Sequence, residues 1–128
     1  AKVGCDWFET PVVYDIQETL EFLKEANPFG VPVLIGLFPM KSYRVAKGFD
    51  MMVPGVSVPK DLLGKFKAVR KEWKNVDKKR MNEEFLKLNV DYLGPFIKEL
   101  KDKKACAGIH IMAVHYPEAF APLLEFIK

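Results

Sequence analysis

The sequence predicts an α/β protein in which parallel strands are joined by β-α-β crossovers. Three short apolar segments, rich in branched side chains, alternate along the chain with longer segments that have helical periodicity. The second and third apolar segments lack a regular alternation of polar and apolar residues, which is typical of strands covered on both faces. Strands that alternate with helices favour right-handed crossovers and a parallel sheet.

The predicted elements follow the order β-α-β-α-α-α-β-α. We expect strands at residues 3–10, 31–38 and 106–114, and helices at residues 15–26, 42–52, 59–69, 82–103 and 117–127. The 128 residues have the length of a single domain. Because sheets contain about 5–6 strands on average, three strands predict that the chain supplies part of a larger α/β structure.

Local signals predict where several helices begin and end. Asp15 is suited to cap the first helix, and Ser42 is suited to cap the second. The segment Asn-Pro-Phe-Gly at residues 27–30 ends the first helix. The dipeptide Gly94-Pro95 lies inside the long fourth helix and is expected to kink or divide it.

Composition and charge exclude several classes of protein. The chain is 49% apolar and 29% charged, which is typical of a globular protein and argues against disorder. A net charge of +3 does not require a nucleic-acid partner. The basic run at residues 65–80 contains aromatic residues, as nucleic-acid surfaces do, but Phe66, Val69 and Trp73 share one helical face, which favours a solvated surface helix.

The sequence also lacks signals for metal binding and for membranes. Cys5 and Cys106 each adjoin an apolar run, which favours buried free thiols over a disulfide. No Cys/His spacing predicts a zinc site, and no apolar run approaches the roughly 20 residues of a membrane span. No signal peptide is visible, so we expect a cytoplasmic protein. The opening AKVGCDWFET, without methionine, suggests a fragment or a processed chain.

Polar residues follow each predicted strand. Reactive groups in parallel α/β folds cluster where strands end and the following loops begin. The three strand ends are Glu9-Thr10-Pro11, Phe-Pro-Met-Lys-Ser-Tyr at residues 38–43, and Ala-Val-His-Tyr at residues 113–116. The sequence therefore predicts a cleft at this edge of the sheet. His110 lies inside the third strand between two isoleucines and is interpreted as a core histidine with its hydrogen bonds satisfied.

Each candidate site residue has a structural and a functional interpretation. The ring of Tyr43 either caps the core or faces a ligand, and Lys41 is either solvated or binds an anionic substrate group. Thr10 either binds a ligand or satisfies the backbone of its own turn. His115, beside Tyr116, is a candidate polar residue of the cleft. The sequence has no glycine-rich phosphate loop and no recognisable nucleophilic triad.

Four segments of the chain resemble, in the same order and at fitting intervals, segments of the methylenetetrahydrofolate reductases. They are GCDWFETPVVYD at residues 4–15, VPVLIGLFPMKSYRVAKGF at residues 31–49, VPGVSVPKDLL at residues 53–63 and GIHIMAV at residues 108–114. Together they extend over nearly the whole chain. The second and fourth segments are most similar to the reductases of acetogens, methanogens and related anaerobes.

The resemblance implies a TIM (β/α)8 barrel with FAD at its carboxyl-terminal face. Residues 1–128 would be a single α/β domain that supplies the last three β/α units of the barrel. The implied reaction passes hydride from reduced FAD to a methylene-tetrahydrofolate or a related C1 carrier. A reduced electron donor supplies hydride to the flavin. Because most family contacts to FAD lie on earlier strands, we expect association with the rest of the barrel or a homo-oligomer.

The resemblance transfers site residues unevenly. Thr10 matches a family threonine and is implied to contact both cofactor and substrate. The neighbouring family glutamine is Pro11 here, and proline has neither a side-chain donor nor an acceptor. Tyr43 matches an aromatic residue that stacks against folate or nicotinamide. His115-Tyr116 replaces an Asn-Arg pair that helps to hold folate in many members.

These changes leave two alternatives open beside the reductase. The chain could be a reductase-derived assembly or interaction module that no longer performs the chemistry. It could also belong to another TIM-barrel protein of C1 metabolism, such as one for corrinoid-linked methyl transfer.

Overall fold

The computed structural model describes residues 4–128 and contains a sheet of three parallel strands. The strands lie in the order β1-β2-β3, with β1 at Phe8–Val12, β2 at Val33–Leu37 and β3 at Gly108–Ile111. Each pair is parallel, and helices connect the strands. The predicted α/β class with parallel strands and helical crossovers is therefore confirmed.

Five α-helices lie within the described residues. They are α1 at Ile16–Ala26, α2 at Tyr43–Met52, α3 at Lys60–Trp73, α4 at Lys78–Asp102 and α5 at Phe120–Leu124. Short 3-10 turns at Asn27–Phe29 and Pro117–Ala119 follow α1 and precede α5. The last helix is shorter than the predicted 117–127, and α3 is longer than the predicted 59–69.

The predicted helix caps are confirmed. The Asp15 carboxylate accepts a hydrogen bond from the Glu18 amide at 3.0 Å, and the Ser42 hydroxyl accepts one from the Val45 amide at 3.3 Å. Gly30 has a φ of 74°, which a glycine adopts without strain as the chain leaves α1. These ends depend on residues close in sequence, which explains why local patterns located them.

The position of β1 differs from the prediction of residues 3–10. The start of that prediction, Val3, lies outside the described residues, and the observed strand continues through Pro11 to Val12. Proline is tolerated there because β1 is an edge strand of the described sheet. The pairing with β2 shifts register between Glu9 and Val12, so the contacts between strands, not the apolar run, decide where β1 ends.

Helix α4 is continuous over 25 residues, so the predicted division at Gly94-Pro95 does not occur. Proline removes one helical hydrogen bond, but buried neighbours on either side hold α4 against the core, among them Leu93 and Ile97. Gly94 has its own packing role, because a Cβ atom there would lie 2.4 Å from Cζ of Phe126. The glycine therefore lets the C-terminal segment pack closely on α4.

The helices pack against one face of the sheet. On that face Val33, Ile35 and Leu37 of β2 are almost fully buried in a cluster that includes the stacked rings of Phe66 and Phe85, 5.4 Å apart. On the opposite face the side chains of Glu9 and His110 are 40% and 47% exposed, so the expectation of two covered faces is met on one face only. Cys5 and Cys106 are free, as predicted, but each is half-buried, not buried.

Candidate functional site

The candidate site lies at the carboxyl edge of the sheet. Because the strands are parallel, the segments that follow them emerge on the same side, as the pairing of Leu37 with Ile111 shows for β2 and β3. The two segments that matter most are residues 38–42, between β2 and α2, and residues 112–116, after β3. We call them the β2 loop and the β3 loop.

Lys41 and His115 join these two loops. The ammonium group of Lys41 donates a hydrogen bond to the His115 carbonyl oxygen at 3.1 Å. Both residues are exposed, and His115 has a φ of 52°, in the left-handed region that is uncommon for residues other than glycine. An ammonium has three donors, so Lys41 retains two for water or for an anionic ligand.

Tyr43 is the first residue of α2 and is held by its neighbours. Ser42 caps the helix, and the guanidinium carbon of Arg70 lies 5.7 Å from the centre of the Tyr43 ring, within the range of a cation–π contact. The ring is half-buried. Arg70 thus covers part of the ring, another part packs against the buried core, and the exposed remainder is available for a further contact.

Thr10 lies inside β1, not at its end. Its hydroxyl accepts a hydrogen bond from the Gly36 amide at 2.9 Å and donates one to the Pro11 carbonyl at 2.9 Å. The side chain thus takes the place of a backbone partner where the strand register shifts. A Cβ atom at Gly36 would lie 2.7 Å from the Thr10 carbonyl oxygen, so this close approach of strands requires glycine. The interpretation of Thr10 as a backbone partner therefore has direct support.

Tyr116 is a core residue at the end of the β3 loop. It is 6% exposed, and its hydroxyl makes no hydrogen bond of ordinary geometry within residues 4–128, although it lies close to the Asn89 side chain. Burial raises the pKa of Tyr116 to about 12. The structure therefore brings Lys41 and His115 together, whereas Tyr116 lies behind them in the core.

A cleft of about 440 Å³ lies beside β1. Its lining includes Thr10, Tyr14, Asp15 and Phe22. None of the other four predicted site residues lines it, so Thr10 is separated from the contact between Lys41 and His115.

His110 was expected in the core, and this prediction is wrong. Its side chain is 47% exposed and contacts the carboxylate of Glu9, which is 40% exposed. His110 pairs with Gly36 in the neighbouring strand, and the absent side chain of Gly36 leaves room for the contact across β2. The periodicity of a strand turns His110 away from the face on which Ile109 and Ile111 pack against the core.

Sequence reasoning missed the residues that anchor the β2 loop. Asn89 of α4 bonds the backbone of Met40, and the Tyr14 hydroxyl donates to the Phe38 carbonyl at 2.7 Å. The Tyr92 hydroxyl in turn donates to the Tyr14 carbonyl. The available signal was Asn89 itself, a polar residue on the same apolar stripe as Phe85, four residues before it.

Neither a metal site nor a membrane span is visible in residues 4–128. No group of three or more His, Cys, Asp or Glu side chains is placed to hold a metal ion in this part of the chain. None of its helices is both long enough and apolar enough to cross a bilayer.

These features define an α/β protein with candidate ligand-binding groups at the carboxyl ends of parallel strands. The full chain, residues 1–128, matches the family model of methylenetetrahydrofolate reductase, so the chain belongs to the methylenetetrahydrofolate reductase family. The resemblance seen in the sequence is thereby confirmed. The family consists of oxidoreductases of folate one-carbon metabolism that generally use FAD. A comparison with curated proteins finds no match.

The exposed polar and aromatic groups of the described residues are too few for a complete FAD site. The Thr10 hydroxyl is already bonded twice by the backbone, and Tyr116 is buried. The groups left for a ligand are the Lys41 ammonium, the His115 imidazole and the uncovered part of the Tyr43 ring. Three such groups are too few to enclose a dinucleotide, since ligand sites bury most of the ligand surface.

Proposed function

We propose that residues 1–128 form one side of the substrate cavity of a flavin-dependent methylenetetrahydrofolate reductase. The observation that carries this proposal is the family match over the whole chain. The meeting of the β2 and β3 loops at one edge of a parallel sheet supports it. In this proposal the chain supplies the last three β/α units of a (β/α)8 barrel. The other units provide most contacts to FAD.

The proposed substrate contacts are Tyr43, Lys41 and His115. The Tyr43 ring offers a π face for stacking against a flat heterocycle such as a pterin, and Arg70 holds the ring from its other side. Lys41 supplies positive charge for an anionic substrate group. FAD, when bound, supplies the hydride. The residues of this chain bind and orient the carrier of the one-carbon unit.

Pro11 and Thr10 bear on the identity of that carrier. The Pro11 side chain can neither donate nor accept a hydrogen bond. The Thr10 hydroxyl is already hydrogen-bonded to the Gly36 amide and to the Pro11 carbonyl. Thr10 and Pro11 therefore offer a ligand few polar contacts. For this reason the proposal includes C1 carriers related to methylene-tetrahydrofolate, with a reduced electron donor as the second substrate.

The lack of free polar groups at Thr10 and Pro11 also favours one alternative, a non-catalytic module derived from a reductase. A protein that no longer binds folate does not need polar groups at these positions. The absorption spectrum of the purified full-length protein separates the two functions. A flavin spectrum that bleaches with a reduced donor and recovers on adding methylene-tetrahydrofolate supports the reductase, and a protein without flavin supports the module.

Tyr43→Ala tests the proposed contact directly. In the full-length protein we expect the variant to weaken substrate binding by about 1–3 kcal/mol, the loss expected for an aromatic contact with its buried area. Steady-state kinetics with varied folate measure this as an increase in KM. Tyr43→Phe keeps the ring and is the matched control, so its KM should stay close to wild type. Wild-type kinetics in Tyr43→Ala would remove Tyr43 from the site.

A further inference from the structure

Asn89 lies in the middle of α4, and its side chain makes three hydrogen bonds to the backbone. The residue is 2% exposed. Its Oδ1 accepts a hydrogen bond from the Met40 amide at 2.6 Å. Its Nδ2 donates to the Met40 carbonyl at 2.7 Å and to the Phe85 carbonyl at 2.8 Å. Both Nδ2 protons and the amide oxygen are therefore used, and two of the three bonds go to one residue.

This double contact fixes a segment that has no regular secondary structure. Met40 lies in the β2 loop, directly before Lys41 and three residues before Tyr43. It is 1% exposed, so its N–H and C=O groups need protein partners to avoid a desolvation cost. Asn89 satisfies both at once, as a neighbouring strand would do. The path of the backbone into Lys41 and Tyr43 is thereby set from α4.

Only a primary amide can make this contact. A carboxylate at position 89 would accept from the Met40 amide but could not donate to its carbonyl, and an aliphatic side chain could do neither. The packing of α4 does not depend on the amide, because Phe85, Leu93 and Ile97 are themselves fully buried in the core. The specific contribution of Asn89 is therefore to fix the position and orientation of the Met40 backbone.

We propose that Asn89 is a positioning residue of the substrate site, acting through Met40 on the placement of the Lys41 ammonium and the Tyr43 ring. This inference rests on the proposed function, because the substrate contacts are those of the proposed reductase. Asn89 itself touches no substrate. Its effect is to hold the β2 loop in one conformation before substrate arrives, which lowers the conformational cost of binding.

The test compares two variants of the full-length protein with a matched control. Asn89→Leu removes both contacts with Met40, and Asn89→Asp keeps only the acceptor. Thr19→Val is the control, because Thr19 is also buried and its hydroxyl donates to a backbone carbonyl, that of Asp15 at 2.7 Å, on a different helix. We measure KM and kcat for methylene-tetrahydrofolate, flavin content, and amide hydrogen exchange in residues 39–41.

For Asn89→Leu we expect a KM increase of about 10-fold or more, the order expected when a buried hydrogen-bonded anchor is lost, with flavin content unchanged. Amide exchange in residues 39–41 becomes faster. Asn89→Asp shows the same direction with a smaller change and gives the same test if Asn89→Leu does not fold. Thr19→Val lowers the melting temperature but leaves KM and exchange in residues 39–41 unchanged.

Two results would overturn the inference. One is a wild-type KM in both Asn89 variants with only a lowered melting temperature, which would make Asn89 an ordinary core residue. The other is unchanged exchange in residues 39–41. If the wild-type protein has no reductase activity, the proposed function fails, and the exchange measurement still decides whether Asn89 holds the β2 loop.

Discussion

The β2 loop and the β3 loop emerge at the same edge of the sheet but are held in different ways. The β2 loop is bonded along its backbone by two buried side chains, Tyr14 at the Phe38 carbonyl and Asn89 at Met40. The β3 loop is held by the buried ring of Tyr116 and by backbone hydrogen bonds, which run from the Met112 amide to the Leu37 carbonyl and from the Tyr116 amide to the Ala113 carbonyl. Its one side-chain bond, from Lys41, is exposed to solvent.

The two loops differ in what their buried side chains contribute: hydrogen bonds to the backbone in the β2 loop, and mainly burial of a ring in the β3 loop. Hydrogen bonds from buried side chains fix both the position and the orientation of the backbone, because the bonds weaken steeply with angle. Burial of a ring depends on the area removed from water and tolerates small rotations. We therefore expect the β2 loop to be a fixed platform for Tyr43, and the β3 loop to adjust more readily around it.

The largest effect on stability is expected from Tyr14→Phe. This change removes the bond to the Phe38 carbonyl and leaves that acceptor without its partner, so it should lower the free energy of unfolding by about 1–2 kcal/mol. Urea denaturation measures the loss. Tyr43→Phe removes a hydroxyl from a half-buried ring and serves as the control, with a change near zero. Equal values for the two variants would show that the β2 loop is not anchored by Tyr14.

Tyr116→Phe should have a smaller effect, of opposite sign or near zero at neutral pH. The Tyr116 hydroxyl is buried and makes no hydrogen bond of ordinary geometry in residues 4–128, although the Asn89 side chain lies close enough to offset part of the rise in its pKa that burial causes. Its removal therefore relieves a desolvation cost and loses no more than a weak contact. Chemical denaturation at pH 7 measures the change. A clear loss of stability would mean that the hydroxyl has a partner and that the β3 loop is also held by a directional bond.

The stability of wild type and of Tyr116→Phe should also differ in its dependence on alkaline pH. The pKa of Tyr116 is raised to about 12 by burial, against about 10 in the unfolded chain. The folded protein thus binds the proton of the Tyr116 hydroxyl more tightly than the unfolded chain does. The stability that this difference contributes is complete below pH 10 and is lost as the pH rises towards 12. Tyr116→Phe should show a shallower decline over that range. Burial also raises the pKa values of Tyr14, Tyr92 and Cys106, which account for the part that remains.

The smallest effect is expected from Lys41→Met. The bond from Lys41 to the His115 carbonyl lies in solvent, where water replaces it at little cost, so stability should change by less than about 0.5 kcal/mol. Arg44→Met, at another exposed cation near the start of α2, is the control. A loss of more than about 1 kcal/mol specific to Lys41→Met would show that Lys41 anchors the β3 loop as firmly as Tyr14 anchors the β2 loop.

Sequence reasoning predicted the parts of the site that depend on local signals. Ser42 and Asp15 cap helices as expected, because a cap involves residues two or three positions apart. The carboxyl-edge placement of the loops follows from parallel strands. The exposed position of His110 was not predicted, since the apolar residues around it indicate a strand but not which face of it is covered.

Asn89 and Thr10 show where such reasoning stops. Two of the three hydrogen bonds of Asn89 go to Met40, which lies 49 residues earlier in the chain. The Gly36 amide that bonds the Thr10 hydroxyl lies 26 residues later than Thr10. No periodic pattern encodes a contact of this kind. The polar character of Asn89 on an apolar stripe signals that it must be satisfied, but it does not say by which backbone group.

The amino-acid sequence alone determined the α/β class, the order of helices and strands and the resemblance to methylenetetrahydrofolate reductases, because periodicity, caps and ordered motifs are local properties. Only the tertiary structure decided the register of β1, the exposed contact between Glu9 and His110, and the anchoring of the β2 loop from α4. These features depend on which distant segments meet, and buried hydrogen bonds form only after packing has brought their partners together.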